Sequence, residues 1–497
     1  MKPNGGDGEL VYRTLDGDEA VLARTKLDAF RGSVRGAVLT AAEAGFEDAC
    51  RLWNCMVERR PAVVVRCLSS RDVQNAVAFA RAHDILVSVR GGGHHIAGNA
   101  IADGGLMIDL SPMRSVRVDA ARRVVRAGGG ALLGDVDHET QAFGLATPTG
   151  INSTTGLAGL CLGGGFGWLT RPYGLTADNL LSADVVTADG NIRLASEAED
   201  PDLFWAIRGG GGNFGVVTSF ELRLHAVGPM VHAGVVVYPG AEARGVLRRW
   251  RDVVAVAPDE LTAWAVMRKA PPLPFLPVDV HGTDAVVIAA LWAGPLEAGP
   301  QATAPLLALG HPHGHMLGPQ PFEAWQQTFD PMLTPGARNY WKSHDFEEVT
   351  DDAIDVFVEG LGALPGPECE VFLGSLGGAM GRVPRDATAF ASRDARVVMN
   401  VHGRWRRPED DGLVRSWARG VFDRAAPFAT GGGYVNFFTD DEGPRVASAY
   451  GSNFERLREI KRRVDPGNLF RVNHNIPPEA AGASRRKAAG RTARPAG

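Results

Sequence analysis

Between Arg60 and Arg90 the chain runs apolar, amphipathic, apolar. PAVVVRCL predicts a strand, SSRDVQNAVAFARAHD places Val73, Ala76, Val77 and Ala80 on one helical face, and ILVSVR predicts a second strand. Ser69 or Ser70 supplies the oxygen that caps such a helix. Two more stretches of short apolar runs, GLMIDLSPM and RSVRVDAARRVVRAGGG, lead into a short helix in LLGDVDHETQAFG. The segment SADVVTADGNIRLAS reads as a hairpin turning at Asp189-Gly190. Asp200-Pro201 opens a helix through Trp205, because proline is tolerated at the first helical position. The pattern is α+β with short strands.

The pattern changes near Val227-Gly228-Pro229. Beyond it, longer β-branched or apolar runs (HAGVVVYP, DAVVIAALWAG, ECEVFLGSLGGAM, RVVMNVHGRW) are separated by amphipathic stretches. That is the pattern of a sheet with helices on one face. The Pro-rich segment 270–282 and the stretch 294–320 read as surface loops. From Gly431 a third segment leads into one long helix, ASAYGSNFERLREIKRRVDPGN, stopped at Asp465-Pro466. Residues 481–497 read as a disordered basic tail.

Composition narrows the function classes. The 497 residues suffice for about two to four domains. A net charge of −5 that includes Arg485, Arg486, Lys487, Arg491 and Arg494 in the tail leaves an acidic body, which argues against nucleic acid as a partner. Five cysteines without a CxxC pair fit neither a disulfide scaffold nor a cysteine zinc site. The start, MKPNGGDGELVYR, lacks the basic and apolar regions of a secretion signal. No apolar run approaches the ~20 residues of a membrane span, and the expected location is the cytoplasm.

Glycine is the informative excess, 62 residues of 497. Arg90-Gly91-Gly92-Gly93-His94 follows a predicted strand, and consecutive glycines let backbone N–H groups converge on an anion such as a diphosphate. A flexible turn is the plain alternative. The GxGxxG at Gly210, Gly212 and Gly215 follows a helix and opens into a strand, the reverse of a Rossmann site. The run from Thr154 to Gly167 is small and uncharged, suited to lie flat against a large planar ligand. His311-Pro312-His313-Gly314-His315 has no carboxylate or cysteine beside it, so no metal site is expected. Leu373-Gly374-Ser375-Leu376-Gly377 misses the serine-hydrolase elbow by one glycine.

These clusters, with Tyr173–Asn179, Arg208–Val217 and the closing Phe470-Arg471-Val472-Asn473-His474-Asn475-Ile476-Pro477, resemble the berberine-bridge-enzyme-like FAD-linked oxidases of the vanillyl-alcohol-oxidase/p-cresol-methylhydroxylase superfamily. The resemblance implies a two-part FAD-binding domain with an antiparallel substrate domain between its parts. The expected division is an N-terminal helical part over 1–58, the FAD-binding domain over 59–228, a substrate-binding domain over 229–430, and a returning segment over 431–480. It further implies a single covalent FAD link through His94, with His95 as the competing position. Arg90, Gly91, Gly92, Gly93, Gly98, Thr155, Gly156, Gly159, Gly163, Gly164, Asn179, Val217, Asn473 and Asn475 are the matching cofactor-binding positions.

Two departures bear on the chemistry. Asn152 stands where doubly linked members carry a cysteine, and Cys161 reads as a structural thiol. Phe166 and Phe437 replace the tyrosines that serve such proteins as base, and neither can accept a proton. Tyr434 is one replacement. His402 is another, because alternation along Arg396–Trp405 puts Asn400, His402 and Arg404 on one face and Met399, Val401 and Trp405 on the other. A solvated polar face is the plain alternative for that strand, and Glu368 and Glu370 are weaker choices. The expected activity is an FAD-dependent oxidation of an alcohol, phenol, sugar or amine-type carbon of a small molecule, with O2 as acceptor. A flavin-containing non-redox cyclase and a drug-sequestering protein are the alternatives.

Overall fold

The computed structural model describes residues 9–478, so the basic tail lies outside the described residues. The apolar run at 63–66 and the predicted second strand at 87–90 form, with Leu106–Asp109 between them, the parallel core of a four-stranded sheet. The intervening helix spans Ser70–Ala82, with the Ser69 side chain accepting from Asp72 N at 3.3 Å. Val73, Ala76, Val77 and Ala80 are buried beneath it. The N-terminal part is not helical throughout. Leu10–Arg13 and Glu19–Leu22 pair as a hairpin, and Ala37–Leu39 adds an antiparallel edge to the four-stranded sheet. Their short, broken apolar runs carry no clear period, so only the sheet that receives them defines them as strands.

A five-stranded antiparallel sheet runs in the order Ile192–Ser196, Leu180–Val186, Val216–Arg223, Val124–Gly128, Val116–Asp119. Its first hairpin turns at Asp189-Gly190, where Gly190 takes φ +85°. Asp200 caps the helix Pro201–Ile207.

Residues beyond 229 build a seven-stranded antiparallel sheet: Gly314–Pro321, Met230–Pro239, Asp284–Trp292, Leu261–Lys269, Glu370–Ser375, Val397–Trp405, Arg338–Phe346. Helices Ala243–Val256, Asp351–Gly362 and Asp411–Ala425 cover one face, where Met267, Val371, Leu373, Met399 and Val401 enter a shared core. The opposite face turns Trp264, Phe372 and Asn400 toward the glycine-rich half of the molecule.

The stretch 294–320 is not simply loop. It holds the short helix Gly299–Thr303, and Gly314–Pro321 is an edge strand paired along Met230–Pro239. Pro319 and Pro321 survive there because an outermost strand has a neighbour on one side only. The long C-terminal helix is two, Val446–Tyr450 and Phe454–Val464, broken where Gly451 turns to φ +48°.

The chain then returns to its first half. Leu457, Ile460 and Val464 enter the core beneath the five-stranded sheet, and Leu469 and Phe470 the core of the four-stranded one. The buried Lys461 ammonium ties this return together, donating to Asn213 O at 2.6 Å, Asp465 Oδ2 at 2.7 Å and Phe470 O at 3.0 Å. Burial lowers its pKa to about 8 although Asp465 works against the shift.

Candidate active site

One large cavity lies between the glycine-rich half and the uncovered face of the seven-stranded sheet. Gly91, Gly92 and Gly93 turn the chain at its floor, directly after the strand Val87–Arg90. A side chain at Gly92 would place its Cβ 2.3 Å from Gly156 N, so the two backbones touch only because both residues are glycine. The N–H groups of Gly91, Gly92, Gly93 and His94 donate to no backbone or side-chain acceptor among the described residues. Four unpaired donors on one turn are an anion cradle, which fits the diphosphate of a dinucleotide.

His94 sits at the end of this turn, stacked on Trp53 with centroids 5.2 Å apart. Burial pushes its imidazole pKa down to about 4, so it is neutral at pH 7. Its tautomer follows from hydrogen accounting. Asn152 Oδ1 accepts from both Thr154 N (3.0 Å) and Thr154 Oγ1 (2.6 Å), which uses the Thr154 hydroxyl proton. Thr154 Oγ1, 2.9 Å from His94 Nε2, must then accept, so Nε2 carries the hydrogen and Nδ1 the lone pair. His95 is also neutral, its pKa lowered to about 3 chiefly by burial, and packs on His474 at 5.1 Å.

The positions expected to hold the cofactor divide. Gly91, Gly92, Gly93, His94, Thr155, Gly156, Gly159, Val217 and Asn473 line the cavity. Arg90 lies behind the turn, bonding Ala49 O. Gly98 supports the floor from below, where a Cβ would strike Val57. Gly163 and Gly164 pack against Asn436 and Phe390. Asn179 is a structural bracket away from the cavity, holding Tyr173 O and Leu175 O at 2.9 Å. Asn475 lies just past the lining residues, its Oδ1 buried without a partner. Gly211, Gly212 and Asn213, set aside with the non-Rossmann glycine pattern, do line the cavity. Cys161 is buried, and its thiol pKa is pushed up to about 12, as a structural thiol requires.

The opposite wall is aromatic, with one polar strip. Phe166 meets Trp264, Tyr434 and Phe437 edge to face at 6.1, 5.0 and 5.6 Å. Asn400, His402 and Glu370 form the strip, as alternation along Val397–Trp405 requires. Arg404 lies on the same side of its strand but is used by Glu368 at 3.0 Å. Glu370 Oε2 accepts from Arg268 NH1 at 2.8 Å, and Oε1 lies 3.4 Å from His402 Nδ1. Burial favours the neutral acid, yet Arg268 and His402 together hold the Glu370 carboxyl below its ordinary pKa. Burial also lowers the pKa of His402, against the pull of Glu370. His402 Nε2 faces Asn339 Oδ1 at 3.3 Å, an oxygen that also accepts from Arg404.

Tyr434 lines the cavity but is poorly suited to act as a base. Its oxygen already accepts from Gly165 N at 3.2 Å and Asn436 Nδ2 at 2.8 Å, and burial raises its pKa above the usual phenol value. Trp53, Trp341 and Phe372 were not anticipated from sequence. Phe372 was accessible to it, two positions from Glu370 on one strand face; the tryptophans arrive from distant segments. His311 is exposed and pairs with Glu242 at 3.1 Å, and no group of three metal-binding side chains occurs among the described residues.

An anion cradle beside a flat glycine-lined floor, closed by an antiparallel substrate sheet, defines an FAD-linked oxidoreductase. Comparison with known proteins agrees. Residues 61–196 match the FAD binding domain model and 433–477 the model for berberine and berberine-like proteins. The (R)-6-hydroxynicotine oxidase of Paenarthrobacter nicotinovorans is 32% identical over 472 residues, 90% of this chain and 98% of that protein. The crystal structure of 6-hydroxy-D-nicotine oxidase from Arthrobacter nicotinovorans superposes with a TM-score of 0.80 at 29% identity, covering 90% of this chain and 99% of its own. The Physcomitrella patens BBE-like 1 protein shares the fold, with a TM-score of 0.82 at 22% identity over 91% of this chain and 99% of its own. The chain belongs to the berberine-bridge-enzyme-like family of FAD-linked oxidoreductases.

Proposed function

We propose that the protein is an oxidase of a small organic molecule, with FAD attached covalently to His94 and O2 as the final acceptor. The carrying observation is the placement of four free N–H donors and a neutral His94 across one cavity from the Glu370–His402 strip. The flavin supplies the two-electron acceptor. Gly91–Gly93 would hold its diphosphate, and Gly156, Gly159 and Val217 line the same cavity. His94 Nδ1, the nitrogen that bears the lone pair, is the point of attachment.

The chain's own contribution to the reaction is orientation and proton removal. Both nitrogens of His402 face acceptors, Nδ1 the Glu370 carboxylate at 3.4 Å and Nε2 Asn339 Oδ1 at 3.3 Å, so in the neutral ring one of them is the basic nitrogen and points its lone pair at an oxygen. A proton taken up there converts a repulsive lone-pair contact into a charge-assisted hydrogen bond. Arg268 keeps Glu370 ionised for that purpose. The pair replaces the hydroxyls absent at Phe166 and Phe437. All five cysteines are unpaired, which supports a reducing, cytoplasmic setting; no helix among the described residues is long and apolar enough to cross a membrane.

Denaturing the purified holoprotein tests the attachment: yellow colour stays with the polypeptide, is released by His94→Ala and is retained by His95→Ala. Free FAD from the wild-type protein overturns the covalent link. Anaerobic bleaching on substrate addition, followed by hydrogen peroxide on admitting air, tests the oxidase reading.

A further inference from the structure

We propose that a second cavity, set behind Asn339, binds a zwitterion in which a carboxylate and an ammonium are joined by a short aliphatic chain. The cavity measures about 410 Å3 and shares no lining residue with the first. It opens where residues 54–59, the turn at Ile96-Ala97, the strand Arg338–Phe346, the helix Asp411–Ala425 and the returning segment at Asp440 meet. Asn339 lines it and turns Oδ1 toward His402 of the first cavity.

Most polar groups of its wall are already paired. Asn54 and Asn339 are bonded to each other at 3.0 Å in both directions. The Tyr340 hydroxyl donates to Asp441 and accepts from Arg419, Thr439 also donates to Asp441, and Asp103 is held by Arg13 and by Arg60 N. Four charges are left over. Arg415 makes no hydrogen bond or ion pair among the described residues, because Asp411, one helical turn before it, is taken by Arg338 at 2.5 and 2.6 Å and by Trp405 at 2.8 Å. Its guanidinium rests over the Tyr340 ring at 4.9 Å, with Nε buried and unpaired and the terminal nitrogens accessible. Arg59 donates to the carbonyls of Ala97 and Ile101 but touches no carboxylate. Glu58 and Asp440 are exposed, and neither carboxylate accepts a hydrogen bond among the described residues.

Two cations without an anion and two anions without a cation therefore surround one hollow, with Met56, Val57, Ile96 and Ala97 as its apolar lining. A guanidinium takes a carboxylate through paired N–H bonds, and carboxylates at an open rim suit a compact, hydrated ammonium. A molecule with charge of one sign alone meets like charge on the opposite side, which lowers its affinity.

The test is calorimetric titration of the holoprotein with glycine, 4-aminobutanoate and 6-aminohexanoate, zwitterions of increasing charge separation, against hexanoate and hexylammonium. At least one zwitterion is expected to bind saturably, about tenfold or more tighter than either singly charged compound. Arg415→Gln breaks no hydrogen bond among the described residues and is expected to remove the advantage of that zwitterion over hexylammonium. Glu58→Gln combined with Asp440→Asn is expected to remove its advantage over hexanoate. An unchanged urea-unfolding midpoint reports that each variant is folded. None of these three residues lines the first cavity, so the losses also assign binding to the second. Absence of saturable binding by all three zwitterions, a singly charged compound binding as tightly as they do, or a zwitterion affinity that survives Arg415→Gln overturns the proposal.

Discussion

Replacing Gly159 with alanine puts one methyl group into the cavity and almost nothing else. Its Cβ would meet no atom within 4 Å, although the residue sits in the helix Leu157–Leu162 and lines the cofactor cavity. Alanine is favoured over glycine within a helix by up to ~1 kcal/mol, so the empty protein is expected to hold its stability or gain slightly. Against a rigid planar cofactor the same methyl is an overpacking change, which costs about 1–3 kcal/mol, or about 5- to 150-fold in affinity. Gly92→Ala is the contrasting change, because its Cβ would fall 2.3 Å from Gly156 N and two backbones would have to part. It is expected to lower both stability and flavin content. Both substitutions are best made in a His94→Ala background, which removes the proposed point of attachment, so that the Kd for FAD can be titrated by absorbance alongside a urea-unfolding midpoint. An unchanged Kd in Gly159→Ala, or a loss of stability matching that of Gly92→Ala, would refute the placement of the cofactor against this helix.

Other expectations follow from buried charge. Burial raises the Asp137 carboxyl to about 7 although Gln326 opposes the shift, so the folded state holds a proton that the unfolded chain releases near pH 4. Stability therefore falls as pH rises from about 4 to 7, by about 4 kcal/mol at most; Asp137→Asn should flatten this slope in urea midpoints measured at pH 5 and pH 8, and equal slopes in both proteins would refute it. Lys461→Met strands the buried Asp465 carboxylate and two carbonyls, and is expected to cost about 3–5 kcal/mol with loss of bound flavin in the absorbance ratio. Tyr434→Phe leaves Gly165 N without an acceptor and Asn436 Nδ2 with Leu160 O alone, costing about 1–3 kcal/mol, but should not move the pH profile of anaerobic flavin reduction. His402→Asn should abolish the rise of that profile with pH, whose inflection lies below the ordinary imidazole value because burial lowers His402.

What could be read from the residues alone was whatever depends on period and on local turns. Alternation along Val397–Trp405 put His402 and Asn400 on the correct side, since a strand has only two faces. Ser69, Gly190 and Asp200 marked their caps and turn for equally local reasons. The edge strand Gly314–Pro321 was hidden by its own prolines, and Gly451 was not read as a break because glycine within a helical pattern is usually tolerated. Register was out of reach. Glu370 gains its significance from Arg268 on one neighbouring strand and His402 on the other, and nothing in the linear order places those three together. Trp53 and Trp341 enter the cavity by the same kind of distant meeting, and Tyr434 lost its standing as a base through contacts from Gly165 and Asn436 that only packing brings about.

Part of the cavity wall is made by Phe470, Val472, Asn473 and His474. Lys461 fastens this segment to Asn213, which was synthesised 248 positions earlier. Until the segment itself has left the ribosome the cleft lacks one side, however well its sheets have formed. A chain interrupted before Phe470 would therefore keep its floor and its seven-stranded sheet but have an open gap where the pigment is to be enclosed.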